Sequence, residues 1–137
     1  MAVKMEGVYL GNKRIELTHT DSGTKITTAA PKDNNGDGSS FSPTDLCTAS
    51  LGACMMTIIG IVAEKRGFSV DGMRMTVEKE MVASPTRRIG TISVAIHLPA
   101  AMTLEQREWA ERGAQTCPVH HSLHPDVEAR ISFLYDV

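Results

Sequence analysis

Aromatic residues are scarce in this 137-residue chain: three phenylalanines, two tyrosines and one tryptophan. So thin a supply argues against a surface that stacks nucleic-acid bases. An excess of positive charge is missing too, because the formal net charge is −2. A counterion-releasing nucleic-acid binder needs a basic face, so that class is excluded as well. Cysteine is limited to Cys47, Cys54 and Cys117. An odd number at these spacings is no disulfide framework of a small secreted protein. The opening residues Met1-Ala2-Val3-Lys4-Met5-Glu6 carry no apolar leader. A reducing cytoplasm is therefore the expected location, where cysteines either fill a core or do chemistry. Phosphate-cradling glycine loops, nucleophile elbows and dinucleotide fingerprints are also missing.

What is present reads as one soluble domain over residues 1–137, with 42% hydrophobic and 22% charged residues. Residues 3–28 alternate apolar and polar positions, and Gly11-Asn12 and Asp21-Ser22-Gly23 cut them into three short strands. A polar connector follows from Pro31 to Ser40. Its Asp33, Asn35, Asp37 and Gly38 match the first half of a calcium loop. The twelfth position is Thr44 rather than a bidentate glutamate, so a turn-rich loop is expected.

Ser42 then supplies a helix cap, Pro43 the favoured first position, and Gly67 the stop after Glu64-Lys65-Arg66. The predicted helix, Pro43 to Arg66, would be about 36 Å long. Its 18 residues from Leu46 to Ala63 carry no charge. That is the lower limit for a membrane span, but Thr48, Ser50, Thr57 and the flanking amphipathic strands argue for a soluble protein. One short chain has too little material to surround such a helix, so a second subunit is expected to cover it. Ala49, Gly52, Ala53 and Gly60 are read as a small-residue stripe facing that neighbour. Two strands joined at Ser84-Pro85-Thr86, a helix opened by the Thr103/Gln106 capping box, a helix start at Cys117-Pro118 and a last strand at Val127–Tyr135 complete an α+β chain.

Cys47 and Cys54 are seven residues apart on one helix, about 10.5 Å along its axis, too far for a disulfide. A redox pair would therefore include Cys117, with either helix cysteine as its partner and Cys54 favoured. Cys117 lies at a helix start, where amides and dipole favour a thiolate. Cys54 would need a cation from elsewhere, with Arg14, Arg87 and Arg88 as candidates. Cys117, His120 and His124 have zinc-like spacing, yet no further ligand pair completes a closed site. No metal is expected, and the histidines are expected to cap, hydrogen-bond or line a pocket.

The stretch Phe41-Ser42-Pro43-Thr44-Asp45-Leu46, running into Leu51-Gly52-Ala53-Cys54, together with Cys117-Pro118-Val119-His120, resembles the OsmC/Ohr family. These are the osmotically inducible and organic hydroperoxide resistance proteins of the oxidative stress response. The resemblance covers nearly the whole chain. It implies antiparallel sheets around a long central helix, an intertwined homodimer, and peroxide reduction without cofactor. It makes Cys54 the peroxidatic cysteine, Cys117 the resolving one, Arg14 the thiolate-stabilising arginine, and an external dithiol the reductant. The hydroperoxide-resistance branch has a glutamate ten residues before the reactive cysteine, where this chain has Thr44; Asp45 stands beside it, its side chain about 100° further around the helix. The other reading is a non-catalytic module binding a small molecule, with both cysteines as pocket lining.

Overall fold

Ser42 and Pro43 open the long helix where their chemistry predicts, in a computed structural model that describes all residues from Met1 to Val137. Helix α1 spans Pro43–Arg66. The Ser42 hydroxyl accepts the Asp45 N–H at 3.0 Å, and the Asp45 carboxylate accepts the Ser42 N–H at 2.9 Å. This reciprocal cap satisfies two backbone donors at once. Gly67, at φ 75°, ends the helix in a conformation that costs side-chain-bearing residues more.

The chain forms two compact units, Met1–Cys47 and Thr48–Val137, with α1 running through the boundary. In the first, β1 (Met5–Gly11), β2 (Arg14–His19) and β3 (Lys25–Ala29) make an antiparallel sheet in that order. Asn12 and Lys13, both at positive φ, turn β1 into β2, as the Gly11-Asn12 signal predicts. The Pro31–Ser40 connector holds one 3-10 turn, Lys32–Asn34. It returns to β3 through the Ser40 hydroxyl, which donates to the Thr27 carbonyl at 2.8 Å. Thr28, Ala29 and Ser42 are buried here, whereas Val8, Tyr9, Leu10 and Ile26 remain exposed.

In the second unit β4 (Arg74–Val82) and β5 (Arg88–His97) form the expected antiparallel hairpin. Strand β6 (Glu128–Leu134) lies on the other side of β5 and runs parallel to it. A parallel neighbour cannot follow by a tight turn; it needs a crossover. Helices α2 (Leu104–Ala114) and α3 (Pro118–Ser122) provide it. The Thr103/Gln106 capping box is present at the start of α2.

Alternation along β5 turns Ile92, Val94 and Ile96 inward, and they meet Leu51, Met55 and Ile59 of α1 in one core with Ala110, Ala114 and Cys117. Each large aliphatic side chain so enclosed stabilises the fold by roughly 1.5–3 kcal/mol. Helix α1 is long and apolar enough to cross a membrane, but its Leu51–Met55–Ile59–Ala63 stripe is buried within the protein. Its opposite side, Ala53, Thr57 and Ile61, is exposed.

The small-residue stripe divides. A Cβ on Gly52 would collide with the Met75 sulfur and crowd Val77 of β4. Gly52 therefore admits the chain's own sheet, rather than a neighbouring helix. Around Gly60 the corresponding space is open.

Candidate active site

Cys54 sits in the middle of α1, half-buried, one turn after Leu51. Cys117 caps α3 and is completely buried. The crossover that places β6 beside β5 carries Cys117 into the core against which Cys54 packs, near enough for the Cys54 thiol to influence its ionisation. On α1 it also approaches the Leu51 carbonyl, to which it donates at 4.0 Å. On α3 it accepts the His120 N–H at 3.5 Å. Burial pushes the Cys117 thiol up from its ordinary value of 9.0, and the Cys54 thiol adds to this. The amides of His120 and Val119 pull the other way without overcoming burial. A Cys54–Cys117 pair would leave α1 intact, whereas a Cys47–Cys54 pair, both on that helix, would not. Cys47 is exposed two turns before Cys54.

Arg14 stands at the start of β2, opposite Ala29, in the first unit. It contributes a small share to holding the Asp37 carboxyl below its ordinary range, most of which comes from Ser39. Among the other arginines, Arg88 donates to the carbonyls of Ile89 at 3.1 Å and Asp126 at 3.3 Å. Asp45 has its carboxylate on the α1 cap, the place expected of a first-turn acid.

The histidines do what the spacing alone could not choose among. His120 gives its amide to the Cys117 sulfur and lines a cleft of about 310 Å³ with Met55, Gln115 and Phe133. Nδ1 of His124 accepts the Asp126 N–H at 3.0 Å. No group of three or more His, Cys, Asp or Glu converges as metal ligands. What the sequence could not reveal is the Leu51 carbonyl as a partner of Cys117. Every residue carries one, and only the packing selects it. The Cys117-Pro118 helix start did signal the α3 amides.

The model of the OsmC-like protein family matches residues 36–132. A solved structure from Psychrobacter arcticus, described as an osmotic stress induced and detoxification response protein, is 36% identical. The match covers 97% of this chain and 96% of that one, with a TM-score of 0.90. OsmC of Legionella pneumophila, an organic hydroperoxide resistance protein, is 20% identical over 98% and 97% of the two chains, with a TM-score of 0.77. The organic hydroperoxide resistance protein of Elizabethkingia anophelis is 14% identical over 99% and 97%, with a TM-score of 0.76. These last two share the fold. No curated protein sequence matches the chain.

Proposed function

We propose that this chain, which belongs to the OsmC-like protein family, is a thiol peroxidase that reduces hydroperoxides through Cys54 and Cys117. The observation that carries the reading is the packing of these two thiols in one core, one half-open and one sealed. The names of the hydroperoxide-resistance neighbours support the substrate class.

The more accessible partner attacks. The Cys54 thiolate displaces an alkoxide from the peroxide O–O bond, the alkoxide takes a proton, and Cys54 is left as a sulfenic acid. The Cys117 sulfur then attacks the Cys54 sulfur. An S–S bond forms, the S–O bond breaks, and hydroxide leaves with the thiol proton as water. A dithiol from outside the chain reduces the disulfide by exchange. The attacking thiolate calls for a cation beside it, the role that the family resemblance gives to Arg14. The protein works as a homodimer whose second copy covers Ala53, Thr57 and Ile61 on α1.

Mass spectrometry of protein treated with one equivalent of an organic hydroperoxide tests the reading. The expected product has lost two hydrogens and yields a linked Cys54–Cys117 peptide pair. An unchanged count of titratable thiols after complete peroxide exposure refutes it. In the Cys117→Ser variant a sulfenic acid at Cys54 should be trapped by a dimedone-type reagent, and Cys54→Ser should consume no peroxide.

A further inference from the structure

The sulfur of Cys117 has two occupations. It belongs to the thiol pair, and it is also the cap of α3, whose His120 amide it accepts at 3.5 Å. We propose that this cap is redox-controlled: oxidation of the Cys54–Cys117 pair withdraws the sulfur from the α3 amides and loosens Pro118–Ser122. The inference rests on the reading of these cysteines as a redox couple.

Three features lead to it. First, a disulfide holds its sulfurs at about 2 Å, closer than two unbonded sulfurs can approach. Forming the bond therefore moves one or both of them. Second, the two anchors are unequal. Cys54 is embedded in a helix of 24 residues with a buried stripe, whereas α3 has five residues, none of them buried. A helix that short has almost no stability of its own. The displacement therefore falls on the Cys117 side. Third, oxidation removes the thiol proton, and with it the donation to the Leu51 carbonyl that orients the sulfur in the reduced form.

Once the sulfur turns toward Cys54, the His120 N–H loses its partner. What then holds α3 is the Cys117 carbonyl, bonded to His121 N–H at 3.2 Å, the His120 carbonyl, bonded to Leu123 N–H at 3.3 Å, and the Ser122 hydroxyl on the Pro118 carbonyl at 2.8 Å. Because His120 also lines the cleft with Met55, Gln115 and Phe133, the loosened segment changes the shape of that cleft. The histidine-rich turn after Cys117 thus reports the state of the thiols to the surface. Coupling of this kind is reciprocal, so whatever holds α3 closed makes the disulfide easier to reduce.

Residue-resolved amide hydrogen exchange of the full chain tests this, in the reduced form and after one equivalent of cumene hydroperoxide, with the disulfide verified by mass. Exchange at His120 and His121 should rise roughly fivefold or more on oxidation, the size expected for a lost helix cap. Exchange in the middle of α1 should stay unchanged. The Cys117→Ala variant should show the same rise without oxidant. The Cys117→Ser variant, which keeps an acceptor and cannot form the disulfide, should stay protected in both conditions. A disulfide that forms while α3 stays protected overturns the proposal and leaves the peroxidase reading standing. If no disulfide forms, the peroxidase reading fails, and with it the switch. An unaltered α3 in reduced Cys117→Ala overturns the cap by itself.

Discussion

Cys54 and Cys117 differ in accessibility, and accessibility sets their order of reaction. In the reduced protein, a time course with iodoacetamide near neutral pH should modify Cys54 well before Cys117. The second thiol is fully buried and held protonated by that burial. Peptide mass spectrometry reads the order directly, and faster labelling of Cys117 contradicts it. A second residue gives a pH prediction. The Tyr135 hydroxyl donates to the Glu111 carboxylate at 2.6 Å, and the Arg107 guanidinium lies 4.1 Å from the centre of its ring. Burial first, then Glu111, push its ionisation well above the ordinary 10.0. A neutral tyrosine is therefore favoured by folding. Its contribution is complete below the ordinary value and is lost as pH rises through the higher folded value. Tyr135→Phe should cost about 1 kcal/mol at pH 7. Its melting temperature should converge with that of the wild type above pH ~10, where only the wild type pays for ionising the phenol. A gap that widens with pH contradicts the assignment. At this scale the sequence exposes thiols through helix spacing and the Cys-Pro start. It is silent on backbone partners such as the Leu51 carbonyl, because those are chosen by tertiary packing.

Element boundaries were the most legible part of the chain. Ser42, Pro43 and Gly67 bracket α1, and the Thr103/Gln106 box opens α2, because caps are local chemistry that needs no knowledge of the fold. Thr103→Ala removes the acceptor for the Gln106 N–H at 3.1 Å and should cost about 1 kcal/mol. Thermal melting of the reduced protein should fall by roughly 3–5 °C, and an unchanged midpoint contradicts the cap's contribution. Helical periodicity says which residues share a side of α1. It does not say whether a sheet or another subunit lies there, and for that reason the small-residue stripe points Gly52 at a neighbouring helix while the fold sets it against β4. Since Met75 and Val77 occupy its open side, Gly52→Leu should destabilise the chain by about 1–3 kcal/mol through overpacking. In urea, the midpoint should drop even at concentrations where assembly is absent. The parallel direction of β6 was equally illegible. Its alternation fits either direction, and only the helical crossover decides between them.

At the scale of the molecule, α1 presents two unlike sides. Leu51, Met55 and Ile59 are sealed in the second unit, while Ile61 is 44% exposed beside Ala53 and Thr57. An apolar helix left half-open to water is what the proposed second copy would cover. Light scattering should therefore give twice the chain mass. Ile61→Asp should shift the population toward single chains while circular dichroism stays that of a folded protein. A wild type that scatters as a monomer at all concentrations contradicts the dimer. The order of strands β4-β5-β6 has a further consequence for synthesis. Cys117 lies on the crossover between two parallel strands, far along the chain from Cys54, so it is made late. A chain emerging from the ribosome thus shows Cys54 long before its partner is available. During that interval the first cysteine stands alone, and nascent protein made under oxidant should be prone to irreversible sulfinic acid damage that the finished molecule resists.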